Sequence, residues 1–443
     1  MLNNIQQIRD KIQSSNLAGR LTSGALWSVL GGIFGKGLVL VAFIIIARIL
    51  GKEEYGALGM IRSTILMFSI FAGLGIGGTA SRYIALYRNV EPQKTSEIYL
   101  LSCYTALVAG LLVAAILYFF APMIAENSLK APQLAVYIRL GAAVLFFSAL
   151  HGAQTGSLSG FEQFKTISIN TIIYGVIQII TLSLGAYLRG IYGVVVAMGF
   201  SAFVFWGINQ YSLRNYLAKK SYKKIKLREI SKDTVSVLWK FSLPSIMSIV
   251  LTIPVLWWCK TLIVKTAGFG NLANYDVAEQ WNTIIMFIPL TLSGIIIPIL
   301  SNILSEGNMG QFQKTVRINI LINTLITVAA VLFVALLSSL ILKSYGAAFT
   351  DNRTFLVLIA STIPNAVAAV LGQVIASKGK MWIGFLLNFI WAIWIVLFSV
   401  IFITKMNYGA LGLALAVLCA YILHVIFSYA YIYPKVKNIK IKS

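Results

Sequence analysis

Twelve apolar stretches alternate with short polar segments along this chain, and Lys and Arg collect in every second segment. The stretches are residues 21–48, 57–80, 98–121, 134–159, 166–187, 190–211, 238–265, 275–304, 316–342, 356–377, 381–403 and 409–433. Each is long enough to cross about 30 Å of hydrocarbon, which takes roughly 20 helical residues. A segment in lipid must satisfy its own backbone N–H and C=O groups, so runs of this length read as helices. Charge placement sets the register. Of the 36 Lys and Arg, 23 fall in segments on one side and seven on the other: Lys52, Lys130, Arg189, Lys265, Lys343, Arg353 and Lys405. Such a bias marks the richer side as cytoplasmic and predicts both termini inside. Adding or losing one span would scramble the bias.

Composition agrees. Hydrophobic residues make up 58% of the 443 and charged residues 11%, against about a quarter charged in a soluble domain. No room is left for a sizeable soluble domain. The net charge of +23 would suggest nucleic acid on a soluble protein, but here the cytoplasmic bias accounts for it and excludes that partner. Cys103, Cys259 and Cys419, with His151 and His424, are isolated in apolar spans. They have no metal spacing and imply no disulfide framework. No Walker A loop or useful carboxylate pair is present, so neither an enzyme nor a cofactor site is expected. Gly73, Gly75 and Gly78 imitate a dinucleotide fingerprint, but no strand precedes them.

The expected class is an all-α polytopic membrane protein with about 12 transmembrane helices. Residues 1–20 read as a cytoplasmic interfacial segment, with Ile5, Ile8 and Ile12 at helical spacing beside Arg9 and Lys11. Residues 21–213 form an N-terminal six-helix lobe and 214–233 a basic cytoplasmic linker. Residues 234–433 form a C-terminal six-helix lobe and 434–443 a basic cytoplasmic tail. Ala25-Leu26-Trp27 and Val237-Leu238-Trp239 open the first and seventh spans alike. Six spans per half relates the lobes by a pseudo-two-fold along the membrane normal, as in many transporters. Gly31, Gly32, Gly35 and Gly37, then Gly73, Gly75, Gly77 and Gly78, occupy spans one and two. Pro244, Pro254, Pro289 and Pro298 occupy spans seven and eight. These predict bending in four helices around a lumen.

Six cations remain inside spans: Lys36, Arg48, Arg62, Arg139, Lys240 and Lys260. A Lys or Arg at a helix centre costs about 2.5–3.5 kcal/mol on the lenient insertion scale. Arg48 can snorkel at a span end, and Lys240 lies near an inner mouth. Lys36 is about fourteen residues from either end of its span, roughly 20 Å at helical rise. Arg62 and Arg139 sit five residues inside outer ends, and Lys260 lies in the outer part of its span. The acids nearby are Glu279 and Asp276, a charge pair available for Lys260 or for a coupling ion. Two carboxylates cannot neutralise this set, so Lys36, Arg62, Lys260 and Arg139 predict a hydrated cationic lumen that suits an anion. Trp257, Trp258 and Trp281 lie close in sequence to Lys260 and Glu279. They read either as sugar contacts or as packing aromatics.

Several motifs resemble those of a known family. Leu50-Gly51-Lys52-Glu53-Glu54-Tyr55-Gly56 is similar to the turn after the first helix of polysaccharide flippases. Gly73 to Tyr83 resembles the close of their second helix, Gly156 to Glu162 their fourth, and Asn274 to Gln280 the start of their eighth. The group is the O-antigen and repeat-unit flippases of the multidrug/oligosaccharidyl-lipid/polysaccharide exporter superfamily. The resemblance implies a two-lobed bundle with alternating access in the bacterial cytoplasmic (inner) membrane. The implied cargo is undecaprenyl-pyrophosphate-linked oligosaccharide, moved from inner to outer leaflet. Implied partners are the phospholipid bilayer, a coupling ion (H+ or Na+) and polysaccharide polymerase or assembly proteins. The rivals are a multidrug/cation antiporter of the same superfamily and a lipid II or teichuronic-type exporter. A polytopic glycan polymerase is disfavoured by the short outer loops.

Overall fold

Apolar runs of this length have only the helix available to them in lipid, and the computed structural model is helical almost throughout. It describes residues 2–73, 75–220, 222, 225–237 and 243–437, with backbone alone at 2–23, 25, 243–249, 294–295, 297–299 and 433–437. Lys240, Lys223 and Lys224 of the linker, and residues 438–443 of the tail, lie outside the described residues. The N-terminal lobe comprises α1 (Leu2–Leu50), α2 (Lys52–Gly73), α3 (Ile76–Tyr87), α4 (Pro92–Met123), α5 (Ala135–Gly160) and α6 (Phe164–Lys219). A short α7 (Lys232–Val237) follows. The C-terminal lobe comprises α8 (Leu243–Ile285), α9 (Phe287–Ser305), α10 (Met309–Leu336), α11 (Ser338–Tyr345), α12 (Asn352–Ala360), α13 (Thr362–Ser377), α14 (Met381–Ser399) and α15 (Gly409–Lys437). The amphipathic segment read at residues 1–20 is continuous in backbone with the first span.

Among the described residues, ten helical stretches are long and apolar enough to cross a membrane. Two of them fold back on themselves. The chain leaves helical geometry in α6 at Arg189 (φ −143°, ψ 19°) and Gly190 (φ 56°, ψ −139°). Across that turn Thr181 Oγ1 lies 2.8 Å from Ser201 Oγ, and Asn170 Nδ2 donates to Asn209 Oδ1 at 2.9 Å. In a straight helix these pairs would stand about 30 Å and about 60 Å apart. The chain in α8 reverses at Gly268 (φ 81°, ψ 173°), a backbone conformation that glycine adopts without steric cost.

Among the described residues four further spans are interrupted, one of them at Leu337 (φ −92°, ψ 2°) between α10 and α11. Between α2 and α3, Gly75 takes the left-handed conformation (φ 61°, ψ 12°). The α8–α9 break precedes Pro289, and the α12–α13 break precedes Pro364, so each proline falls in the first turn of a new helix. There its missing N–H would have had no intrahelical partner. The bending expected in four helices is thus an interruption in the second and eighth spans. The first span and the first arm of α8 stay helical across their glycines and Pro254.

The two lobes touch unevenly. At the end carrying the α1–α2 turn, one hydrophobic core runs through both, from Phe43, Tyr55 and Ile61 to Leu272, Tyr345 and Phe349. At the opposite end the cores are separate. Ile84, Ile98, Leu158, Phe161 and Leu213 cluster in the N-terminal lobe, and Leu300, Phe312, Leu371, Val374 and Ile432 in the C-terminal lobe. The lobes therefore meet as a V, closed at the turn end.

The linker after α6 is held against the open end of the N-terminal lobe. Tyr222 packs on Phe161 (ring centroids 5.6 Å), and its hydroxyl donates to Arg88 O at 3.3 Å. The buried Glu97 accepts from Ser231 N (3.2 Å), Ser231 Oγ (3.0 Å) and Thr234 Oγ1 (2.8 Å).

Candidate functional site: the cavity between the lobes

The V encloses a cavity of about 660 Å³. One face of α1 supplies Gly32, Gly35, Lys36, Val39, Leu40 and Phe43 to its wall. These positions recur at three- and four-residue spacing, so they share a stripe of the helix. Facing them are Arg62, Ser63 and Leu66 of α2, Thr171 and Tyr174 of α6, and Lys260, Glu279, Gln280, Asn282 and Thr283 of α8.

Each polar wall residue has a local reason for its place. Lys260 and Asp276 stand eight residues on either side of the reversal at Gly268, so the hairpin sets them opposite one another. Glu279 lies one turn beyond Asp276 on the same face. Lys260 Nζ donates to Asp276 Oδ1 at 3.0 Å and to Glu279 Oε2 at 2.7 Å. The two acids differ in access: the Asp276 side chain is 5% exposed and that of Glu279 38%. Asp276 is pinned from the other lobe by Gly59, where a Cβ would overlap its carboxylate. Arg62, one turn along α2 from Gly59, lies within electrostatic range of Asp276.

Lys36 and Arg62 are bound differently. The Arg62 guanidinium lies 3.7 Å from the centre of the Phe43 ring, and Lys36 Nζ lies 5.3 Å from that of Phe287. Aromatic faces hold cations by their quadrupoles while leaving N–H donors free. Among the described residues neither cation makes an ion pair. The wall thus divides into a neutralised lysine and two cations offered to whatever enters.

Above the cavity the turn end is sealed across the lobes. Gly270 N donates to Glu53 Oε2 at 2.8 Å, and Gln280 Nε2 donates to Tyr55 OH at 2.5 Å. Trp257 Nε1 donates to Thr64 Oγ1 at 2.9 Å, and Arg48 Nε to Ser344 O at 2.5 Å. Gly56 lets α2 approach the backbone of α8 at Phe269 and Ala273, and Gly59 makes room for the Asp276 side chain. Below the cavity, Phe287 sits on Gly32, where a Cβ would strike its ring.

The structure therefore gathers Lys36, Arg62, Lys260, Glu279 and Asp276 at one place. Arg139 is elsewhere: it is exposed on α5, its guanidinium 5.6 Å from the Tyr118 ring. None of the three tryptophans lines the cavity. Trp257 is bonded into the seam, Trp258 is exposed, and Trp281 packs edge-on to Phe355 with ring centroids 6.5 Å apart. Sequence reasoning missed Phe43, Tyr174, Gln280, Asn282 and Thr283. Phe43 carried a signal, two helical turns after Lys36 on the same stripe. Gln280 and Thr283 carried another, next to Glu279 and one turn beyond it.

A family model described as "Polysaccharide biosynthesis protein" matches residues 21–304. The chain belongs to that family. A relative, the EPS I polysaccharide export inner membrane protein EpsE of Ralstonia solanacearum, is 25% identical over 418 residues, covering 90% of this chain and 91% of the relative. The inward-facing conformation of a multidrug resistance MATE family transporter of the MOP superfamily matches with a TM-score of 0.78 at 15% identity, across 93% of this chain and 98% of that one. A MOP superfamily transporter from Pyrococcus furiosus gives 0.72 at 16% identity, across 94% and 95%. The fold is that of the MOP transporters, two helical lobes facing each other. The likeness to polysaccharide flippases read from the sequence motifs holds for both family and fold.

Proposed function

We propose that this protein is a flippase of the bacterial inner membrane. Its cargo is undecaprenyl-pyrophosphate-linked oligosaccharide, an O-antigen or other repeat unit, taken from the inner to the outer leaflet. The observation that carries this reading is the pair of unneutralised cations, Lys36 and Arg62, in an inter-lobe cavity where Lys260 engages both the wall carboxylate of Glu279 and the Asp276 carboxylate behind it. Cations lining a wet cavity inside the membrane mark anion paths. The basic linker and tail orient the open end of the V to the cytoplasm, so the headgroup enters from the inner leaflet while the prenyl chain stays in lipid. A cavity of about 660 Å³ is of ordinary ligand size. It takes the pyrophosphate and its nearest sugar, and the rest of the glycan occupies the open mouth.

In this mechanism Lys36 and Arg62 hold the pyrophosphate by charge-assisted hydrogen bonds. The lobes then close at the linker end and part at the turn end. An inside-negative potential favours anion exit by roughly 2.3 kcal/mol per charge per 100 mV. Arg139, outside the cavity, would act only as an interface anchor. A coupling ion, H+ or Na+, would act at Glu279 and Asp276.

The test is headgroup translocation in vesicles of purified protein. Lys36→Ala is expected to lose most of the rate and Lys36→Arg to keep much of it. A wild-type rate for Lys36→Ala refutes the reading. The rival cation antiporter needs free acids in the cavity. A drug-resistance phenotype abolished by Glu279→Gln would favour it.

A further inference from the structure

The Lys260 cluster holds two acids of unequal freedom. Asp276 is closed in by Tyr275, Lys260 and the Gly59 face of α2, and its contact with Gly59 belongs to the inter-lobe seam. Glu279 is bound to the same ammonium, yet it lies on the cavity wall with more than a third of its side chain accessible. Of the two partners of Lys260, only Glu279 can leave without parting the lobes.

Charge makes its leaving useful. Lys260, Asp276 and Glu279 together carry one excess negative charge, and Lys36 and Arg62 bring the site to one net positive. A pyrophosphate diester bears a negative charge on each phosphorus. Its entry therefore leaves the site with one uncompensated negative charge, which is costly away from bulk water. Uptake of one proton restores neutrality, and Glu279 is the acid on the cavity wall that can take it. The other groups facing it are held. Lys260 keeps Asp276; Arg62 and Lys36 face the anion. Tyr55 and Tyr345 are hydrogen-bonded to Gln280. Tyr275 carries the Lys260 ammonium on its ring, and Cys259 and Tyr421 lie behind it.

We propose that Glu279 is the proton-coupling residue of this carrier: headgroup binding displaces its carboxylate from Lys260, and it takes a proton from the water of the cavity. Lys260 stays protonated and paired with Asp276. The proton leaves Glu279, and the Glu279–Lys260 bond re-forms, when the anion departs. This rests on the anion-carrying reading above and adds to it the uptake of one proton with each headgroup, which the reading does not require.

The experiment measures binding of farnesyl-pyrophosphoryl-N-acetylglucosamine to the full-length protein in nanodiscs by calorimetry. The same titration is run in buffers of different ionisation enthalpy, across about pH 6–8. The probe is a pyrophosphate diester already fully ionised there, so proton uptake reports the protein. Wild type is expected to take up close to one proton per ligand, with Kd rising toward tenfold per pH unit at the alkaline side. Glu279→Gln is expected to bind with no uptake and a flat pH profile. Glu279→Asp, which keeps a carboxyl group, should retain uptake. Binding without uptake in wild type overturns the proposal, as does uptake that survives in Glu279→Gln. Either result leaves the anion-carrier reading standing if Lys36→Ala abolishes binding. Failure of wild type to bind the probe at all overturns both.

Discussion

Lys260→Met is the most informative single substitution for stability, because it strands two carboxylates of different exposure. Removing one partner of a buried ion pair costs about 3–5 kcal/mol, since the survivor is left charged and unpaired in a low-dielectric site. Most of that cost falls on Asp276, whose side chain is 5% exposed; Glu279, at 38%, is partly screened by water in the cavity. At an unfolding entropy of about 2.1 cal/mol/K per residue, a chain of 443 residues loses about 1 °C of Tm per kcal/mol, so Lys260→Met should melt about 3–5 °C below wild type. Adding Asp276→Asn to Lys260→Met removes the stranded charge and should recover more than half of the loss. Adding Glu279→Gln instead should recover little. The assay is thermal unfolding of purified protein in one detergent, read by intrinsic tryptophan fluorescence. An unchanged Tm for Lys260→Met would refute the argument, and so would equal rescue by the two second-site changes.

Four other outcomes follow from the geometry. Gly59→Val places a side chain into the Asp276 carboxylate and should wedge the turn end open, increasing labelling of a cysteine introduced beside Tyr55. Gly75→Val forces a β-branched residue into the left-handed region (φ 61°) at a cost of about 1–2 kcal/mol, lowering Tm by about 1–2 °C. Glu97→Gln weakens three bonds to Ser231 and Thr234, costing about 1–3 kcal/mol locally, and should speed tryptic cleavage in the basic linker with little change in Tm. Gly32→Leu drives a side chain into the Phe287 ring, which carries the Lys36 ammonium, and should lower headgroup translocation through Lys36 while leaving Arg62 on Phe43.

The membrane itself made much of the fold legible. Lipid penalises unpaired backbone and buried charge so heavily that apolar length and cation placement read almost directly as helices and lumen. The same penalty picked out Lys36, Arg62 and Lys260 together with the acids that balance one of them. It failed to separate Arg139 from that set, because depth along a span says nothing of the face on which a residue sits. Trp257 and Trp258 illustrate the complementary error. They lie beside Lys260 in the chain, yet one reaches into the seam toward Thr64 and the other is exposed. The seating of Phe287 on Gly32, and the engagement of Lys260 by both carboxylates at once, depend on how helices dock. The break before Pro364 follows the same rule as that before Pro289, yet only the second fell in a span paired with a glycine-rich counterpart.

The continuous hydrophobic seam at the turn end bears on membrane integrity. Tyr55, Tyr345 and Phe349 interlock there, their ring centroids 5.9–6.3 Å apart. Parting them would wet side chains whose burial is each worth about 1.5–3 kcal/mol. An empty carrier thus keeps a dry plug several rings thick between its water-filled mouth and the far side. Small ions cannot drain through it while no cargo is aboard, and a cell can keep many copies in its membrane without discharging the gradient they stand in.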